Sequence, residues 1–338
     1  MPELWTWWGL FAVAAAVIGF SGPHLSRNGD IIAEKTGLSG SWIGIILIAT
    51  VTSLPELITG GSAVAMWDLP DIAAGDVFGS CVFNLAILIV VDFMLRERPL
   101  YSRANVGHIV SAGFGVVLLG FAALSLMIAS NGTSPSIGHV GVPTLILVML
   151  YAAGMRTVFI YEKTHREAFS EEVAERHPDV TLRMATTRYA VAAFLIVAAG
   201  VVLPIAGAGI SEAMGWNRTF VGTMLVAAVS SLPELVVTAF AVRYGALNMA
   251  VAGLLGSNLF NMMVLAVEDM LYVKGPLLEA VSPAHTVSAM SAVVMTGLFI
   301  IGLQARPASF IVGRVGWITI ALFVVYVLNS YFMFLHGH

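Results

Sequence analysis

Ten stretches of this chain stay apolar for about 18 residues or more, long enough to cross a hydrocarbon core roughly 30 Å thick. They run at residues 4–21, 40–66, 71–95, 105–129, 141–161, 189–212, 219–242, 247–270, 284–304 and 314–335. Lipid offers no partner to a backbone N–H or C=O, so each segment must close its hydrogen bonds internally, and the alanine and leucine content favours helices over barrel strands. Composition points the same way. With 58% hydrophobic residues, 11% charged residues and a mean hydropathy of +0.90, the chain carries about half the charge of a soluble domain. Its one cysteine, Cys81, excludes an internal disulfide and a cysteine-based metal cluster. The stretch from Leu4 to Phe20 follows Glu3 and has no basic cluster or small-residue cleavage site, so a retained first span is expected, not a signal peptide.

Charge sets the expected orientation. With the N-terminus outside, fourteen of the sixteen basic residues face the cytoplasm, and Arg218 and Lys274 fall on the far side. Both termini are then external. Asp68, Asp71, Glu212, Glu268, Asp269 and Glu279 line the outer end, where they would be solvated or would draw cations in. The hydrophilic stretch 162–188 is expected to be a cytoplasmic linker between two halves of five spans each, 1–161 and 189–338.

The halves repeat one another. Thr52-Ser53-Leu54-Pro55-Glu56-Leu57 returns as Ser230-Ser231-Leu232-Pro233-Glu234-Leu235, and Gly79-Ser80-Cys81-Val82-Phe83-Asn84 returns as Gly256-Ser257-Asn258-Leu259-Phe260-Asn261. An odd number of spans per half inserts the second copy upside down relative to the first. The expected fold is therefore an all-α integral membrane protein of about ten transmembrane helices in two inverted five-helix repeats.

Glu56 and Glu234 fall near the middle of apolar helices, where an ionised carboxylate costs at least about 2.5–3.5 kcal/mol. Two such acids suit one hard divalent cation. Their neighbours supply more oxygen: Thr52, Ser53 and Glu56 share a helix face, as do Ser230, Ser231 and Glu234, while Ser80 and Asn84, and Ser257 and Asn261, are spaced by four. Histidine and cysteine do not recur in these motifs, which favours sodium, calcium or magnesium over zinc, copper or iron. Pro55 and Pro233 withhold a donor from the carbonyls of Val51 and Val229, leaving kinks and free carbonyls beside the acids. Gly75 and Gly79, and Gly253 and Gly256, permit close helix crossings.

These paired motifs, over residues 49–90 and 227–267, resemble the α-repeats of the cation/calcium antiporter superfamily, most closely its sodium/calcium exchanger branch. The resemblance implies exchange of calcium for sodium by alternating access, with the long first and sixth spans sliding over a core bundle. By the same likeness the ligands would be Glu56, Glu234, the hydroxyls of Thr52, Ser53, Ser80, Ser230, Ser231 and Ser257, the backbone carbonyls of Ala49 and Ala227, and Asn84. Three positions depart from the pattern. Asn261 stands where some relatives carry aspartate, which argues against potassium co-transport. Val51 and Val229 replace the glycine that usually precedes the motif. Asp76 replaces asparagine and would be either a third carboxylate of the pathway or a partly solvated residue near the outer end.

Protons could replace sodium as the counter-ion, and the residues leave that open. A channel is disfavoured, since one ligand set per half suggests an occluded central site and not a ring of subunits. An intramembrane enzyme lacks a metal-type histidine pair or a nucleophile elbow. No cofactor and no nucleic acid are called for: the expected partners are inorganic cations and membrane lipid, in a prokaryotic-type plasma membrane. The sequence leaves the oligomeric state open.

Overall fold

The structure is a computed structural model that describes residues 2–36, 53–95, 98–132, 134–164, 179–307 and 316–337. Its helices are α1 (Pro2–Lys35), α2 (Leu54–Ala65), α3 (Pro70–Met94), the short α4 (Leu100–Arg103), α5 (His108–Ala129), α6 (Val142–Thr164), α7 (Leu182–Met214), α8 (Arg218–Ser230), α9 (Leu232–Arg243), α10 (Leu247–Leu271), the short α11 (Leu277–Ala280), α12 (His285–Ala305) and α13 (Trp317–His336). Among the described residues, eight helices are long and apolar enough to span a membrane, or nine if the bent pair α8 and α9 is one span. The expected span 40–66 is described only from Ser53 onward. One departure from an all-helical chain is a two-residue ladder, β1 (Ser136–Ile137) against β2 (Val140–Gly141), in the α5–α6 connection.

Most spans end within a few residues of the apolar runs. Two do not. The runs 4–21 and 189–212 are parts of helices of 34 and 33 residues, so Arg27 and Lys35 lie in α1 and not in a loop. A helix does not stop where hydrophobicity stops: charged residues outside the hydrocarbon core extend the same backbone ladder. At about 1.5 Å per residue each of these helices is about 50 Å long, well beyond the roughly 30 Å core, and the two lie against each other along much of their length.

The remaining helices form the core. In both α2 and α9, Leu-Pro-Glu-Leu opens the helix with proline in the first turn, where its missing N–H would have had no partner anyway. Pro233 cannot donate to the Val229 carbonyl, so the ladder opens at Ser231 and the axis bends by 44° between α8 and α9. Within α8, Val221–Val226 widens to a π-type turn. There a Cβ at Gly75 would stand 2.9 Å from Gly222 Cα, and one at Gly79 would collide with the Thr223 carbonyl, so α3 and α8 touch backbone to backbone. Gly253 and Gly256 meet no described atom within 4 Å of such a Cβ, and the close crossing expected of them is not found among the described residues.

Candidate functional site

The bend at Ser231 and the start of α2 place the repeated motifs side by side. From α2 comes Glu56, from α3 Asp76, Ser80 and Asn84, from the α8–α9 junction Ser230, Ser231 and Glu234, and from α10 Ser257, Asn258 and Asn261. All are buried. Thr52, Ala49 and Val51 lie outside the described residues; Ser53, just before α2, is buried, and its hydroxyl has no partner among the described residues.

Hydrogen bonds tie the two halves together at this point. Ser231 Oγ donates to Glu56 Oε1 (2.9 Å) and lies 2.9 Å from Ser80 Oγ, while Ser230 Oγ donates to Asp76 Oδ1 (2.6 Å) and lies 3.3 Å from Ser80 Oγ. Second-half hydroxyls thus serve first-half acids. Ser257 Oγ reaches Glu234 Oε1 at 3.4 Å, and Glu56 lies within electrostatic reach of both Glu234 and Asp76. Full burial of Asp76 removes its reading as a partly solvated residue. The Ala227 carbonyl, a ligand only by the family resemblance, already accepts from Ser231 N–H and Ser230 Oγ, both at 3.1 Å.

What these groups leave unused defines their chemistry. Glu56 Oε2, Glu234 Oε2, Asp76 Oδ2, Asn84 Oδ1, Asn261 Oδ1 and Ser53 Oγ are buried oxygens without a hydrogen-bond partner among the described residues. A buried acceptor left this way costs about 1–3 kcal/mol, and all six are hard oxygen donors on the repeated motifs. Among the described residues no three His, Cys, Asp or Glu side chains gather as a metal cluster; the donors mix carboxylate, amide and hydroxyl.

Asn258 was not singled out by sequence, yet it orients the amides. Its Nδ2 donates to the Cys81 carbonyl (3.2 Å) and its Oδ1 accepts from Asn84 Nδ2 (3.1 Å), which turns Asn84 Oδ1 free. The signal was available, because Asn258 is the repeat partner of Cys81 at the α3–α10 crossing.

The repeat also reaches further than the glutamate motifs. Asp92 accepts Leu100 N–H (2.7 Å) and Thr319 Oγ1 (2.6 Å); Asp269 accepts Leu277 N–H (2.6 Å), Thr144 Oγ1 (2.6 Å) and Gly141 N–H (2.9 Å). Asp71 accepts Ser282 N–H (2.6 Å) and lies 3.3 Å from His285 Nε2, while its counterpart Asn248 accepts Asn105 N–H (2.9 Å) and bonds His108. Each of these residues has its counterpart 177 or 175 positions away, a spacing that a longer comparison of the halves would have shown.

The acids expected to line the outer end are mostly occupied by structure. Asp68 pairs with Lys274 (2.6 Å), Glu212 with Arg218 (3.1 Å), and Glu279 accepts Ser134 N–H (3.1 Å). Glu268 and Asp269 are fully buried, not solvated, because α10 carries them in under the packed helices.

The profile of the sodium/calcium exchanger protein family matches residues 6–160 and 185–335. The chain belongs to that family. This exchanger-family protein is a membrane antiporter, and it transports ions. Inner membrane protein YrbG of Escherichia coli K12 is 23% identical to it over 268 residues, covering 75% of this chain and 78% of YrbG. Among solved structures, the H+/Ca2+ exchanger CAX superposes with a TM-score of 0.71 at 13% identity, over 96% of this chain and 85% of that one. The sodium-calcium exchanger NCX_Mj superposes at 0.62 and 18% identity, over 97% and 98%. At such identities the likeness shows the fold.

Proposed function

We propose that this exchanger-family protein moves calcium, or a similar divalent cation, against sodium by alternating access, at a site organised by Glu56 and Glu234. The observation that carries the reading is the set of six buried oxygens on the repeated motifs that have no hydrogen-bond partner among the described residues. Two carboxylates offset a divalent charge, and the amides and hydroxyls replace its water. The ligand set we propose is Glu56, Glu234, Asp76, Asn84, Asn261, Ser53, Ser80, Ser230, Ser231 and Ser257, with Thr52 and the Ala49 carbonyl completing it and the Ala227 carbonyl joining only if its two donors shift. Exchange follows if sodium and the divalent ion compete for these oxygens, because an ion drives a counter-ion only through unequal affinities for the two conformations. An inverted pair of halves, 1–161 and 189–338 around a 162–188 linker, would let the two conformations mirror each other. Both termini would then be external, as the placement of basic residues requires.

The test is reconstitution. Vesicles loaded with sodium and diluted into sodium-free buffer should accumulate calcium tracer, and Glu56→Gln or Glu234→Gln should abolish uptake in protein that still purifies folded. Uptake that follows a pH gradient and ignores sodium would replace sodium by protons; uptake retained in both variants would reject the site.

A further inference from the structure

One buried acid has no task in the site just described. Glu268 is fully buried in α10, and neither carboxylate oxygen has a hydrogen-bond partner among the described residues. It is pressed against α2: a Cβ at Gly60 would collide with Glu268 Oε1, so the glycine makes the room the carboxyl occupies. Gly60 lies one turn after Glu56 on the same face of α2, and Glu268 lies two turns after Asn261 on the same face of α10. The carboxyl therefore stands about one helical turn beyond the cation site, toward the end of the bundle that carries the 66–70 turn. It is also within electrostatic reach of Asp76. Its repeat counterpart is Val91, so this acid breaks the symmetry of the two halves.

The charged and titratable groups around it are few. The helices around α10 carry Glu56 on α2, Asp71 and Asp76 on α3 and Glu234 on α9, with Asp76 within electrostatic reach; Asp269 and Tyr272 follow in sequence, and Lys274 is held by Asp68. No described cation pairs with it. Burying a bare carboxylate is so costly that the group takes up a proton or an ion instead. A metal ion needs several oxygens, and the neighbours recorded for this carboxyl are Gly60 in contact and Asp76 at electrostatic range. A proton needs one.

Resting on the proposed cation site, we infer that Glu268 is a proton-carrying station beside it, neutral while the site is without a cation and releasing its proton when a cation binds one turn away. The O–H bond breaks, the carboxylate stays, and the arriving positive charge offsets it while the proton leaves to water. Cation binding and proton release are then linked through a residue that is not a cation ligand.

Full-length protein in weakly buffered detergent, titrated with calcium chloride, tests this. The wild type should release about one proton more per bound calcium than Glu268→Gln, and its calcium affinity should rise with pH more steeply by that one proton. Infrared difference spectra should show a protonated-carboxyl band that calcium removes in the wild type and that is missing in Glu268→Gln. Equal proton release and the same band in both proteins overturn the inference. If Glu268→Gln does not fold, Glu268→Asp keeps the acid but draws it back from Gly60 and must shift the band; an unmoved band overturns the inference equally. A wild type that binds no calcium rejects the cation site and this station with it, whereas calcium binding without a Glu268-dependent proton rejects the station alone.

Discussion

Thr144 and Thr319 each donate a 2.6 Å bond to an aspartate of the opposite half, Asp269 and Asp92. Such bonds to a buried charge contribute about 1.5–3 kcal/mol each, and an orphaned backbone donor costs about 1–3 kcal/mol more. Thr144→Val should therefore lower stability by about 1.5–3 kcal/mol. Asp269→Ala, which also strands the Gly141 and Leu277 amides, should lower it roughly twofold further. Apparent Tm in detergent gives the ranking, and a Tm for Asp269→Ala equal to the wild type would mean these bonds hold nothing. At this scale the sequence was a partial guide. Spacing exposed Glu56, Glu234, Ser80 and Asn84, because repetition marks residues whose chemistry must be supplied twice. It did not show that Ser230 and Ser231 serve Asp76, Ser80 and Glu56, since partnership across halves depends on how helices cross. The burial of Glu268 was equally hidden: by hydropathy alone an acid near a helix end reads as solvated.

Among the elements, the long helices α1 and α7 meet the core through glycines at matching positions. A Cβ at Gly22 would collide with the Pro233 ring, next to Glu234, and one at Gly200 would come within 2.9 Å of Ile58 on α2. If these helices slide during transport, the glycines are the smooth points over which they pass. Overpacking costs about 1–3 kcal/mol. Placed in the barrier to movement, that slows exchange about 5- to 150-fold, which is the expectation for Gly22→Ala in the vesicle assay. Gly9→Ala, with no described atom within 4 Å of the added Cβ, is the control and should exchange normally; equal rates in the two variants would remove the sliding contact from the mechanism. Apolar runs located the membrane-buried part of each helix but not the ends of α1 and α7, because charge marks the limit of lipid and leaves the backbone ladder intact.

For the whole molecule, repetition in sequence announced two related halves, and the structure shows how closely they interlock. The Ser231–Glu56, Asp92–Thr319 and Asp269–Thr144 bonds and the Asp71–Ser282 and Asn248–Asn105 caps all cross from one half to the other. Separately produced halves, cut within 165–178, should fail to give stable protein alone and should copurify when made together; a monodisperse single half would contradict this. The two cross-bonded aspartates make the reason concrete. Half a molecule would expose one carboxylate to acyl chains with its hydroxyl donor missing, a defect that membrane proteases are well placed to sense, so cellular quality control would treat each half as damaged until the other arrived.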